Sequence, residues 1–395
     1  MSSRRTFIVY RDELLGASET FIPAQAESLE HFRPYYLALR KIPGLALPEE
    51  RFQFISRDGL AGKLDGTRFK LLGPSVPLQR TLLNLKPELV HAHFAPDACN
   101  ALSLARKLQL PLVTSLHGYD VTVKDKHQSS LYMWRRRNLS AQAGRFLCVS
   151  NFIRKQALAK GFPVAKTVVH YTGIDLNFFN PKPQIERSPI VLFVGRLVPK
   201  KGCAYLIRAM ADIQRVVPGA KLMIIGDGPL LEPLQKLATP TVKDIEFLGA
   251  QKPEVVREHM SRAMVFCTPS VVSDTGDTEG FGMVFAEAQA MGLPVVSFSS
   301  GSLPEAVEHG QTGFLAPERD WQALAANILL FLQNGQLWEQ FSMSGLARAR
   351  SQFDIRKQAQ ALEAIYEQVI DDWHRAGKPV KSHAWNNIAW SGTHE

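Results

Sequence analysis

The 395-residue chain reads as an α/β protein made of two doubly wound parallel-sheet domains. Three observations predict this. Short β-branched runs alternate with helical stretches through the second half. The same alternation runs more faintly through the first half. A proline-spaced polar stretch, NPKPQIERSP at 180–189, divides the two near the middle. Strand alternating with helix is the signature of a parallel sheet covered by helices. Pro181, Pro183 and Pro189 mark the linker, which gives expected domains of 1–185 and 186–364.

In the first half, TFIVY near the start, PELVHAH at 87–93, LPLVTSLHG at 110–118 and GRFLCVS at 144–150 are apolar runs of strand length. VVHYTGID at 168–175 leads into the linker. SETFIPAQAESLEHF reads as a helix with Ser18 as its cap. In the second half, IVLFVG at 190–195 is a buried parallel strand, bounded by Pro189 and Gly195. GRLVPKKG follows, then the helical AYLIRAMADIQRVVPG and the strand KLMIIGDGP. IEFL at 245–248, MVFCT at 264–268, PVVSF at 294–298 and GFL at 313–315 continue the alternation. The closing stretch FDIRKQAQALEAIYEQVIDDW has helical spacing.

Ligands of such sheets bind beyond the carboxyl ends of the strands. Polar residues gather there: Arg196 and Lys201 after one strand, Asp227 after another, Ser270 after a third. Two cations approaching one crevice suit a diphosphate, Arg as a bidentate fork and Lys as a point charge. Lys200 reads as an exposed basic turn. EGFGMVFAE sets Glu279 and Glu287 around a glycine turn that runs into the helix MVFAEAQAM. A helix start offers unpaired N–H groups and a positive dipole end. Carboxylates flanking such an anion site suit hydroxyls, as on ribose or hexose. Alone, they also read as a surface Glu before a helix and another on its exposed face.

As a set, these motifs resemble the retaining glycosyltransferases of family 4, whose GT-B fold sets two Rossmann-like domains facing across a cleft. GRLVPKKG resembles that family's phosphate-binding segment, IIGDGP its glycine-rich turn, EGFGMVFAE its paired-glutamate motif and SLPEAVEHGQTGFL the segment that follows. The resemblance covers most of the chain and is strongest from about Ile190 to Asp320. It implies that Gly195, Arg196 and Lys201 hold a donor diphosphate, with Gly226 and Asp227 near the nucleotide. Glu279 would contact the donor sugar and Glu287 the ribose. Backbone N–H groups of Phe281, Gly282 and Met283 would close around phosphate and sugar. The implied reaction moves a hexose from a UDP- or GDP-sugar with retention, by front-face displacement and without metal. Arg196 and Lys201 would stabilise the leaving charge. No cofactor is implied beyond the donor substrate. The first domain would take the acceptor, and a final helix at about 365–395 would cross back to it. The first loop departs from the family's glycine pair: Gly16 stands alone, with Ser18, Glu19 and Thr20 after it. SETFI resembles bacterial enzymes that build exopolysaccharide and lipid-linked oligosaccharides, which implies a glycan or polyprenyl-diphosphate-linked acceptor.

His117 ends an apolar strand and would point into the cleft. By itself it reads as a satisfied strand-end His; the resemblance implies a contact with the transferring sugar. Asp120, three residues on, could orient it, contact the acceptor or cap a turn. His91 and His93 in HAHF look like a metal pair, yet no further ligand joins them at metal spacing. They read as strand-end packing.

Composition sets the outer bounds. With 45% hydrophobic and 21% charged residues, the chain is an ordinary globular protein. Cys99, Cys148, Cys203 and Cys267 form no C-x-x-C pair, so a reducing cytoplasm is the expected home. The apolar run in MSSRRTFIVYRDE is too short for a signal peptide or span. Residues 1–185 carry 26 Lys+Arg against 14 Asp+Glu, and 186–395 carry 20 against 23, a net of +12 beside −3. That asymmetry calls for an anionic partner of the first domain. LYMWRRR, with Tyr132 and Trp134 beside Arg135, Arg136 and Arg137, suits an anionic membrane face; it also reads as a solvated helix. No nucleic-acid motif accompanies the charge, and GDGPLL lacks the dinucleotide G-x-G-x-x-G spacing.

Overall fold

The computed structural model describes residues 4–377 apart from 14–15, 17–18, 41, 43, 45–47, 57–58 and 182–184. β1 (Arg5–Glu13), β2 (Phe32–Arg40), β3 (Phe52–Phe54), β4 (Pro87–His93), β5 (Leu112–Leu116), β6 (Arg145–Cys148) and β7 (Thr167–Val169) form one sheet, ordered β3-β2-β1-β4-β5-β6-β7. β8 (Ser188–Val194), β9 (Lys221–Ile225), β10 (Ile245–Phe247), β11 (Ala263–Cys267), β12 (Val295–Phe298) and β13 (Gly313–Ala316) form a second, ordered β10-β9-β8-β11-β12-β13. Every neighbouring pair is parallel. In each sheet the strand order reverses beside the first strand, which opens a crevice at the carboxyl edge.

Both faces of the second sheet are buried, which is why its strands are apolar throughout. Val191 and Phe193 join Leu222, Ile224 and Val265 on one face. Leu192, Met223, Ile225 and Phe266 face the other way. The helix Cys203–Val216 lays Leu206, Ile207, Met210 and Ile213 on the first of these faces. Their spacing of one, three and three is a single helical stripe. Each such side chain, fully buried, contributes about 1.5–3 kcal/mol.

The first loop differs from expectation. The helix there is only Phe21–Glu27, and the chain turns into β2 at Phe32 instead of staying helical. The cap position is Thr20, whose side chain makes no cap bond; Ser18 lies outside the described residues. The chain crosses between the sheets twice, side by side. The Ile174 N–H donates to the Phe353 carbonyl at 2.7 Å, and the Ile355 N–H to the Ile174 carbonyl at 3.0 Å. The helix Ile355–Arg375 then packs on the first sheet, starting about ten residues ahead of the expected 365. Its Tyr366 ring lies 5.3 Å from Phe7 and 5.2 Å from Phe32.

Candidate active site

The floor of the cleft is built at the carboxyl end of β8. Gly195 follows the strand, and its carbonyl oxygen lies under Gly226, the residue after β9. Gly226 has φ +142, and a Cβ there would stand 1.9 Å from that oxygen. Only glycine lets the two turns stack so closely. Asp227 is exposed, with its carboxylate accepting from the Gly228 N–H at 2.7 Å. The tight turn Pro199–Lys201 then points both lysines at the segment that follows β11 in the same domain. Lys201 Nζ lies 2.5 Å from Glu279 Oε2, and Lys200 Nζ lies 3.0 Å from Asp277. Lys200, read as an exposed turn, is instead half-buried and paired. Arg196 is exposed and has no side-chain partner among the described residues.

Glu279 and Glu287 sit in contrasting surroundings. Burial works against the Glu279 charge, but Lys201 and Lys200 outweigh it and hold the carboxyl below its usual value. Glu287, four residues into the helix Met283–Ala290, has no hydrogen-bonded partner for its carboxylate among the described residues. Burial pushes it up to about 7, with Lys201 opposing. Between them, the Phe281 and Gly282 N–H groups have no acceptor among the described residues, and Met283 opens the helix. Two carboxylates with split proton affinities and a row of free donors can hold a hydroxylated anion.

The opposite wall is the carboxyl edge of the first sheet. A Cβ on Gly280 would lie 1.8 Å from the His117 carbonyl oxygen, so the two domains touch backbone to backbone beside Glu279. Ser150 Oγ donates to the Gly280 carbonyl at 2.7 Å. His117 Nε2 lies 3.0 Å from His93 Nδ1, and its ring packs on Phe21 and Phe94. Burial first, then Arg11 and His91, lowers His117 to about 3. Burial also drives His93 well down. Both rings are therefore neutral near pH 7. His91 is satisfied by Tyr366 at 2.6 Å and Ser115 at 2.8 Å, so it packs as a strand His.

The acceptor candidates divide. Asp120 is fully buried, accepting from the N–H groups of Ala95, His117 and Gly118 at 3.1, 3.2 and 2.9 Å. It holds the His117 turn in place, the orienting role the sequence offered, and it also lines a cavity of the first domain. Glu19 pairs with Arg11 at 2.6 Å and accepts from the Gly16 N–H at 3.3 Å. Thr20 is exposed. The three arginines also separate. Arg136 is buried and paired with Asp125 at 3.4 Å, Arg135 donates to the Cys99 carbonyl at 2.9 Å, and only Arg137 is exposed. Tyr132 turns inward, its hydroxyl 3.4 Å from the Asp120 carbonyl. They are not one basic face.

Sequence reasoning missed Glu305. Reaching across from the second domain, it accepts from the Asn151 and Phe152 N–H groups at 2.7 and 2.5 Å, at the start of the helix Asn151–Ala159. A carboxylate at a helix start is favourable. The quoted segment SLPEAVEHG contained it, but nothing local marked its partner.

Comparison with known proteins decides what this cleft belongs to. The model described as Glycosyl transferases group 1 matches residues 176–347, and that described as Glycosyltransferase Family 4 matches 42–178. Amylovoran biosynthesis glycosyltransferase AmsK of Erwinia amylovora is 32% identical over 287 residues, 70% of this chain and 68% of that one. The chain is a family 4 glycosyltransferase. The GDP-mannose-dependent alpha-(1-6)-phosphatidylinositol monomannoside mannosyltransferase of Mycobacterium tuberculosis is 31% identical over 274 residues, 65% of this chain and 70% of that one. Anabaena HepE, solved with UDP and glucose, superposes with a TM-score of 0.76 at 21% identity, covering 92% of this chain and 100% of that one. The glycosyltransferase thus has the GT-B fold, its motifs lining the cleft between the two sheets.

Proposed function

We propose that this glycosyltransferase moves a hexose from a UDP- or GDP-sugar to a glycan or polyprenyl-diphosphate-linked acceptor in bacterial polysaccharide synthesis. Transfer proceeds with retention and without a resident metal. The observation that carries this reading is the Lys201–Glu279 pair, set beside the free Phe281 and Gly282 N–H groups and the unpaired Glu287. Lys201, Arg196 and the helix start stabilise the leaving diphosphate. Glu287 accepts from ribose hydroxyls, Glu279 from the sugar, and neutral His117 meets the sugar from the other wall. The AmsK and mannosyltransferase names support polysaccharide or lipid-linked acceptors. A panel of UDP-glucose, UDP-galactose and GDP-mannose tests the reading. Slow hydrolysis of one donor to the α-anomer, unaffected by EDTA, is expected. No hydrolysis of any donor, a β-product or loss of activity in EDTA would each count against it.

We further propose that the enzyme works in the cytoplasm and docks reversibly on the anionic inner membrane face through its first domain. Leu64, Leu71 and Leu72 on the helix Gly59–Leu72 are exposed, as are Leu131 and Trp134 on the helix Ser130–Gln142. Lys63, Arg68, Lys70 and Arg137 are exposed on the same two helices, both of which pack on the helix Ala95–Leu108. No described helix is long and apolar enough to cross a bilayer. Co-sedimentation with vesicles containing phosphatidylserine should weaken with salt and in Trp134→Ala with Arg137→Ser. Equal binding to neutral vesicles would refute docking.

A further inference from the structure

We propose that a cavity of about 320 Å³ in the first domain seats the terminal saccharide of the acceptor. The proposal deepens the transferase reading and rests on it. The cavity lies at the sheet edge that faces the donor domain. Asp12 is at the end of β1, and Tyr119 is two residues beyond His117. The neighbouring segment is tied to the donor domain by the Lys124 N–H, which donates to the Thr275 carbonyl at 2.9 Å. A molecule seated here is therefore beside the wall that carries His117.

The lining indicates what would fit. Asp12 accepts from Asn100 Nδ2 at 2.8 and 3.0 Å and from the Tyr10 hydroxyl at 2.9 Å, with Lys70 Nζ 3.0 Å away. Asn100 is only 4% exposed, and its Oδ1 has no hydrogen-bond partner among the described residues. A buried amide oxygen left without a donor is unusual, and a ligand O–H would satisfy it. Tyr119 is 55% exposed and offers a flat face at the mouth. Leu131, 65% exposed, forms an apolar lip.

A carboxylate, an ammonium and an amide within reach of one another suit hydroxyls, which both donate and accept. An anion is matched less well, because the Asp12 and Asp120 carboxyls offset Lys70 and Arg135. A wholly apolar ligand would leave the polar wall unpaired. The volume is at the low end for small-molecule sites, as a sugar ring would need. The exposed leucines nearby would then face whatever carries the sugar.

Saturation-transfer NMR on the full chain, with UDP saturating the donor side, tests this directly. The probes are methyl α-D-mannopyranoside, methyl α-D-glucopyranoside and methyl β-D-galactopyranoside. At least one should give signals in the wild type. Those signals should fall by about tenfold in Asn100→Ala and in Tyr119→Ala, the effect of one lost hydrogen bond or stacking face. Tyr119 is exposed, so its variant decides the matter if Asn100→Ala does not fold. No signal from any probe, or signals unchanged in a folded variant, would overturn the proposal. A wild type that binds a glycoside but hydrolyses no donor would instead count against the transferase reading.

Discussion

Gly280 stands so close to His117 that one methyl group on it would meet the His117 carbonyl oxygen at 1.8 Å. This contact sets the spacing between the wall that carries His117 and the segment that carries Glu279. Gly280→Ala should push the walls apart. A misplacement of about 1 Å at a reacting centre costs about a hundredfold in rate. Donor hydrolysis should fall by that order while the melting temperature changes little. Wild-type kinetics in the alanine variant would show that the contact does not set the cleft.

Lys201 and Glu279 should behave as a coupled pair. Lys201→Ala removes a charge-assisted contact and leaves Glu279 buried without its cation. Nucleoside diphosphate affinity should drop by about 1.5–3 kcal/mol, or one to two decades in Kd. Glu279→Ala should lower kcat more than it raises KM, as loss of a transition-state contact does. Calorimetry of both single variants and the double variant measures the coupling. Strict additivity would mean that the pair is incidental.

Glu287 gives a pH signature. Burial raises its carboxyl from the ordinary 4.5 to about 7. If the charged form accepts from ribose, UDP affinity should rise with pH and level off near 7. The ligand-free fold should show the opposite trend. The folded state binds more protons than the unfolded chain between 4.5 and 7, so this group's contribution to stability falls as pH rises through that window. Glu287→Gln should flatten both curves. A UDP titration across pH 5–8 that is already flat in the wild type would refute the role.

His93 should act through His117. Their rings share one bond at 3.0 Å, so the proton on one nitrogen fixes the tautomer of both. His93→Phe leaves His117 Nε2 without a partner, and kcat should fall by about tenfold, the worth of one hydrogen bond. His93→Asn places an amide nitrogen near the former Nδ1 and should restore most of the loss. Nitrogen-15 shifts of His117 should change in the first variant and return in the second. Equal kinetics for Phe and Asn would rule out the tautomer role.

Much of this was legible in one dimension. β4 was readable to the residue because an apolar run sits between Pro87 and the turn after His93. The loops after β8 and β9 were readable because glycines and charges follow apolar runs directly. β2 was hidden by Pro34, which argues against a strand, and by the helix signal running up to it. Which strands lie side by side cannot be read locally. His93 and His117 meet because β4 pairs with β5, setting His93 opposite Ser115. The arginine triplet was misjudged for a reason visible in the sequence. Three consecutive helical residues fan through about 200° and cannot share one surface. Asp120 was identified, but its three N–H partners come from two loops whose meeting depends on the whole sheet.

The paired crossings at Ile174 and at Phe353–Ile355 have a consequence for how such an enzyme can be rebuilt. The whole second domain leaves the chain and rejoins it at one spot, so it is an insertion within the first domain, roughly from Ser188 to Gln352. A cassette with adjacent ends can be exchanged by two cuts without disturbing the host core, which keeps its own closing helix and Tyr366. On the proposed division of donor and acceptor between the two domains, donor choice and acceptor choice become separable units of inheritance: a new nucleotide sugar would be acquired by grafting one cassette, with the first domain left untouched.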